Sequence, residues 1–274
     1  MKKLLLIGLF LSSIFLFTTN TFSQGNLISA KETAKIMKDD NVVLVSTRKA
    51  TDYAKVHIID AVNVDVLTLC KEGDIKGLLK TPEEIAKILG EKGLNADKKI
   101  IIYDNGKNVN AGRLYWIMDY LGFKDVKIMD GHMKAWRAAR KKVTKFVTKE
   151  TPAICTPTVN KNIFADYAYV KANLNNPKVI IVDVRAQKEF DEGHIANAKN
   201  FEYKNIIVEE KGTLKQATDI ENLFNEAGLK ADKEIILYCA TSARAGIIYL
   251  AMKSLLKYPN VKVYDGAYNE WKTK

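Results

Sequence analysis

Ile180-Ile181-Val182-Asp183-Val184-Arg185, followed by Glu192-Gly193-His194-Ile195, decides the reading of this chain because most of it is written twice. Val43-Leu44-Val45-Ser46-Thr47-Arg48 and His57-Ile58 stand 137 residues earlier, with Arg and His in the same places. Gly93-Leu94-Asn95-Ala96-Asp97-Lys98 with Ile100-Ile101-Ile102-Tyr103 returns at a shift of 135 as Gly228-Leu229-Lys230-Ala231-Asp232-Lys233 with Ile235-Ile236-Leu237-Tyr238. Asp130-Gly131 and Trp136 match Asp265-Gly266 and Trp271 at the same shift of 135. Such a period is too long for a solenoid unit and suits a whole domain. The chain therefore divides into an N-terminal segment 1–23, a first domain 26–140, a polar linker 141–162 interrupted by Pro152 and Pro157, and a second domain 163–274.

Within each copy, short β-branched runs alternate with helical patterns. Residues 179–182 and 234–238 read as buried strands, and 243–256 places Ile248, Met252 and Leu255 at helical spacing. Ser29 with Glu32, and Thr81 with Glu84, have the spacing of capping boxes, and Gly90 reads as a helix end. Alternating strands and helices predict an α/β fold, each copy a mainly parallel sheet flanked by helices. Function in such folds sits where strands end and helices begin.

Composition narrows the classes. With 47% hydrophobic and 27% charged residues in 274, the chain is neither disordered nor collagen-like. Lys2 and Lys3 precede an apolar stretch, 4–17, that as a helix reaches about 21 Å, short of the ~30 Å hydrocarbon core. With small residues near Ser23, this predicts a cleaved secretory signal, a periplasmic or secreted protein, and no stable membrane span afterwards. The net charge of +11 becomes +9 once the two signal lysines are removed. Lysines are spread along the chain without a dense basic tract, which argues against nucleic acid and for small anions as partners. Three cysteines cannot build a dense disulfide framework, and one must stay unpaired within the chain.

Cys239 directly follows the strand Ile235-Ile236-Leu237-Tyr238, and Ala240-Thr241-Ser242-Ala243-Arg244 leads into the next helix. Inward-pointing turn amides, a helix start and the charge of Arg244 all favour a thiolate there, so Cys239 is the predicted nucleophile.

These residues resemble the rhodanese family of sulfurtransferases in its tandem two-domain form. The resemblance rests on Asp183-Val184-Arg185, Glu192-Gly193-His194-Ile195, the loop Cys239 to Arg244, and Tyr264-Asp265-Gly266-Ala267-Tyr268-Asn269-Glu270-Trp271, in the family's order. It implies that Cys239 takes the outer sulfur of a small anionic donor such as thiosulfate, holds it as a persulfide, and passes it to a thiol or cyanide. The loop Ala240, Thr241, Ser242, Ala243 and Arg244 is implied to cradle that persulfide; Thr241 and Ser242 read either as hydroxyl donors to it or as small residues that let the loop close. Asp183 and Arg185 read as a supporting salt bridge, and His194 as a hydrogen-bonded structural group. The chemistry needs no cofactor and no metal. Related phosphatases place five residues between Cys and Arg where this chain has four, a smaller ring that suits a single sulfur. Phosphatase or arsenate-reductase chemistry is the alternative in the same class. A non-catalytic module that captures anions or a partner is the alternative outside it.

Two positions depart from the thiosulfate enzymes of the family. The loop lacks their Gly-containing sequence ending in Val-Thr, and Glu189 stands where they carry a substrate-binding Arg. Donors such as polysulfide, persulfide or thiosulfonate therefore stay open beside thiosulfate. The first copy has Asp104 in place of the cysteine, a loop one residue longer, and Ser46 in place of Asp183. It is predicted to be inactive and to help build the cleft beside Cys239, with Arg113 either an interdomain contact or a solvated charge. Cys70 and Cys155 either pair with each other or stay free, and Cys155 is a further, weaker candidate to receive sulfur.

Overall fold

The computed structural model describes residues 25–274, so the signal read at 1–23 lies outside the described residues. The first copy contributes strands β1 (Leu27–Ile28), β2 (Val42–Ser46), β3 (Val62–Asn63), β4 (Lys99–Tyr103) and β5 (Asp125–Met129). The second contributes β6 (Phe164–Ala165), β7 (Val179–Asp183), β8 (Lys199–Asn200), β9 (Glu234–Tyr238) and β10 (Val261–Tyr264). They form two five-stranded sheets, ordered β1-β5-β4-β2-β3 and β6-β10-β9-β7-β8, with every pairing parallel. The expected α/β class and duplicated parallel sheets are thus present. The central strands read as unbroken apolar runs because both faces are covered: Ile100 to Tyr103 and Ile235 to Tyr238 are fully buried. Edge strands of two residues offer little template for unwanted pairing.

The copies join through two crossing helices, Val109–Tyr120 and Ala245–Leu250, the latter continued by a π-helical turn, Ala251–Leu255. At the crossing Gly112 meets Gly246. A Cβ on Gly112 would lie 2.4 Å from the Ile247 nitrogen, and one on Gly246 would lie 2.3 Å from the Gly112 carbonyl oxygen. Only glycine permits backbones this close. Residues Ala111 to Met118 are buried on every side of their helix, and one continuous core runs from Leu114 and Ile117 into Ile247 and Ile248. Ile248, Met252 and Leu255 face that core, as their spacing predicted.

A two-fold relation between the copies is written in hydrogen bonds. The Leu79 N–H donates to the Asp265 carboxylate at 2.9 Å, and the Leu214 N–H donates to Asp130 at 3.0 Å. Both partners of one contact lie 135 residues from those of the other. Each copy therefore lends a loop to the other's strand ends.

Both predicted capping boxes form, with Ser29 and Thr81 accepting from the Glu32 and Glu84 amides. The Gly90 reading does not hold. The helix Pro82–Glu91 runs through Gly90 and turns out at Gly93, whose φ is +78°. Gly90 is required instead because the Ala153 carbonyl oxygen would sit 2.5 Å from a Cβ there. The predicted linker is accordingly strapped to the first copy: Ala153, Thr158 and Asn160 donate to the carbonyls of Gly90, Leu121 and Tyr120. Its Val143–Thr144 pairs antiparallel with His57–Ile58.

Candidate functional site

Parallel pairing sets Tyr238 opposite Asp183, which brings the ends of β9 and β7 to one edge of the second sheet. Cys239 follows, fully buried. Its carbonyl accepts from the Tyr268 N–H at 2.9 Å, and the Ala240 carbonyl accepts from the Asn269 N–H at 3.1 Å. In a planar trans peptide the N–H opposes the C=O, so tying these two carbonyls down turns the Ala240 and Thr241 N–H groups the other way. Among the described residues neither N–H has a hydrogen-bond partner. Such a set of free amides is a concave site for an anion.

Of the two readings of Ser242, the one in which it lets the loop close fits the geometry. It adopts φ +57°, uncommon for a residue with a Cβ, and its hydroxyl donates to the Tyr264 carbonyl. That bond holds the loop closed, so the hydroxyl is not offered to a sulfur. Thr241 and Ala243 line the cavity beside the loop.

Arg244 is not a free positive charge. Its Nη1 and Nη2 donate to the two Glu189 oxygens at 2.5 and 2.8 Å, in the paired geometry that guanidinium and carboxylate favour. Burial works against the charge on Arg244, but Glu189 and the neighbouring Cys239 outweigh it and raise its pKa further. Arg244 in turn holds the Glu189 carboxyl below its ordinary range. Glu189, noted in the sequence as a departure, is thus the charge partner of the loop.

Asp183 and Arg185 form the salt bridge anticipated. Nε and Nη2 of Arg185 donate to the Asp183 oxygens at 2.9 and 2.6 Å, and Nη2 also reaches the Gly193 carbonyl at 2.6 Å. The guanidinium lies over the Tyr268 ring, 4.1 Å from its centroid. Buried and fully engaged, the pair orders the strand end. His194 is exposed, bonds through Nδ1 to the Phe190 carbonyl at 2.9 Å and stacks on Phe190 at 3.7 Å.

The cavity beside the Cys239 loop, about 470 Å³, has walls from both copies: Cys70, Lys71, Lys76, Gly77 and Arg113 from the first, Thr241 and Ala243 from the second. Arg113 is an interdomain contact, 2% exposed, donating to Asp265 at 2.9 Å and to the Gly77 carbonyl at 2.8 Å. The segment that reaches across carries Gly77 so close to the loop that a Cβ there would lie 2.6 Å from that of Thr241.

The corresponding place in the first copy is filled from within. Asp104 is 2% exposed; its carboxylate accepts from the Gly106 N–H at 2.6 Å, and its own N–H donates to His132 Nδ1 at 3.0 Å. His132 Nε2 meets Asn108 Oδ1 at 2.7 Å. Sequence reasoning did not find the roles of Glu189, Asp265, Gly77 or Cys70. A signal existed for some of these in the repeat itself, where one copy departs from the other.

A family model described as "Rhodanese-like domain" matches residues 29–139 and 166–274. The chain is 29% identical over 239 residues to a thiosulfate sulfurtransferase of Azotobacter vinelandii, covering 84% of this chain and 88% of the relative. It is 27% identical over 257 residues to a 3-mercaptopyruvate sulfurtransferase of Escherichia coli, covering 89% and 88%. Among solved structures, a 3-mercaptopyruvate sulfotransferase from Escherichia coli superposes with a TM-score of 0.81 at 26% identity, covering 89% of this chain and 98% of that one. An anaerobic ergothioneine biosynthesis enzyme from Chlorobium limicola shares the fold, with a TM-score of 0.83 at 23% identity over 91% of this chain and 68% of that one.

Proposed function

Because the chain belongs to the tandem rhodanese-like domain family of sulfurtransferases, we propose that it moves sulfane sulfur from thiosulfate or a related donor to a thiophilic acceptor through a persulfide on Cys239. The observation that carries this reading is the asymmetry between the copies. Only the second ends its central strand in a thiol, under a loop whose Ala240 and Thr241 amides have no partner among the described residues.

In the first half-reaction the Cys239 sulfur attacks the outer sulfur of the donor. With thiosulfate, the S–S bond breaks and sulfite leaves with the electron pair. The loop amides hold the resulting terminal sulfur anion. In the second, an acceptor thiol or cyanide attacks that outer sulfur and Cys239 leaves as thiolate. Lys71 and Lys76 at the cavity draw in anions, while Glu189 offsets the charge of Arg244. This balance fits polysulfide, persulfide and thiosulfonate donors alongside thiosulfate.

Intact mass after incubation with thiosulfate, and separately with polysulfide, tests the reading. One added sulfur, lost on adding cyanide and missing in Cys239→Ser, is the expected result. No adduct with either donor overturns it. The proposal includes export through the segment 1–23, to be checked by fractionation; full-length protein confined to the cytoplasm contradicts that part alone.

A further inference from the structure

The two clefts of this duplicated molecule differ in one thiol. In the first copy Cys70 forms a bridge with Leu79, and in the second Ile207 pairs with Leu214 in the same manner. Leu79 and Leu214 are the pair whose amides reach Asp265 and Asp130. Cys70 therefore stands, in the cleft walled by the nucleophile's loop, where the other cleft has isoleucine. Cys70 lines the cavity shared with Thr241 and Ala243, whereas Ile207 lines the cavity beside Gly106 and Lys107.

A second difference accompanies it. Beside the crossing glycines, Arg113 follows Gly112 in one copy and Ile247 follows Gly246 in the other. Arg113 lines the same cavity, 2% exposed. Its Nη2 is used by Gly77 and Asp265, but among the described residues its buried Nη1 has no hydrogen-bond partner. An unmatched guanidinium N–H inside a protein calls for an anion. The Cys70 sulfur, half-buried, donates to the carbonyls of Val66 and Gly77, at 3.5 and 3.6 Å, and has the Arg113 guanidinium as a neighbour. Gly77 connects the two thiols spatially: its carbonyl receives Cys70 and Arg113, and its Cα packs on Thr241 of the Cys239 loop.

Resting on the carrier role of Cys239, we infer that Cys70 is a second sulfur carrier, taking the outer sulfur from the Cys239 persulfide and holding it as a persulfide anion beside Arg113. The step balances without an oxidant. The Cys70 proton passes to the terminal sulfur anion of the Cys239 persulfide, the Cys70 thiolate so formed attacks that outer sulfur, the Cys239–sulfur bond breaks with its electron pair remaining on Cys239, and the proton ends on Cys239. The products are a Cys239 thiol and a Cys70 persulfide. Persulfides are more acidic than thiols, so the new group ionises where the thiol does not. Burial pushes the Cys70 thiol up and Arg113 offsets this only in part. The ionised persulfide then supplies the anion that Nη1 lacks. Sulfur so transferred leaves the fully buried Cys239 for a half-buried position on the cleft wall, where an acceptor reaches it.

The test loads the full chain with thiosulfate or inorganic polysulfide without acceptor, alkylates, digests, and locates the extra sulfur by peptide mass over time. Extra sulfur should appear first on the Cys239 peptide and then on the Cys70 peptide. In Cys239→Ser the Cys70 label should fall to that of unloaded protein. Mixing Cys239→Ser with Cys70→Ser should not restore it, since the transfer is internal. Sulfur confined to Cys239, or Cys70 labelled equally well in Cys239→Ser, overturns the relay while leaving the carrier role intact. Label on neither peptide overturns the carrier role and the relay together.

Discussion

Asp104 and Cys239 end equivalent central strands in the two copies, yet one loop is complete in itself and the other is not. The first supplies its own anion, a carboxylate that accepts from the Gly106 amide, and seals it beneath His132. The second has a thiol, amides without partners among the described residues, and Ala267 at the position of His132. Both of those residues hold positive φ, +49° and +54°, so at this position the side chain differs on a shared backbone angle. The comparison teaches that the same turn geometry serves structure when its anion is built in. It serves chemistry when the anion must arrive with the substrate.

The sharpest way to break this comparison is to give the first copy a thiol. Asp104→Cys in a Cys239→Ser background should gain no sulfur adduct by intact mass, a complete loss relative to wild type. The loop is a residue longer, and His132 still covers it. An adduct as large as that of wild type would show that the side chain alone separates the copies.

Next in size is Arg113→Met, which leaves Asp265 buried without its cation. Removing one partner of a buried pair costs about 3–5 kcal/mol, readable in urea unfolding. Among the described residues the counterpart Asp130 forms no ion pair with an arginine or lysine, and burial raises its carboxyl pKa. Asp130→Asn should therefore cost much less, and equal losses would remove the asymmetry.

Asp104→Ala should cost about 1–3 kcal/mol by thermal or chemical unfolding, because the Gly106 N–H loses its acceptor. Stability unchanged from wild type would mean that water satisfies the loop and the built-in anion is not needed.

The smallest effect concerns Glu189. Its folded pKa is lowered by Arg244, so the pair stabilises the fold above the unfolded value near 4.5 and loses that contribution as pH falls through the folded value. Partial exposure and screening limit it to under about 1 kcal/mol. The stability gap between wild type and Glu189→Gln should close below pH 4.5; a gap that persists would show the pair is not its source.

Much of this molecule was legible in one dimension. The duplicated strands, the capping boxes and the Cys239 turn depend on local spacing, and local spacing survives into the fold. Gly90 was misread because its role is set by Ala153, a residue 63 positions away. Ser242 kept two readings in the sequence because its positive φ and the Tyr264 carbonyl that takes its hydroxyl are set by the fold. Glu189 was visible as an oddity, but its grip on Arg244, 55 residues distant, was not.

The sequence alone thus determined two α/β units, one with a cysteine at the end of its central strand and one without. Apolar periodicity and turn chemistry act over neighbouring residues and leave a readable trace. Only the tertiary structure decided what surrounds that cysteine: the ion pair that offsets Arg244, the first copy's segment over the loop, and the cavity wall on which Cys70 and Arg113 meet. The ion pair joins residues 55 apart within one copy, and the segment over the loop joins Gly77 to Thr241 from the two copies that pack at the close crossing of Gly112 and Gly246.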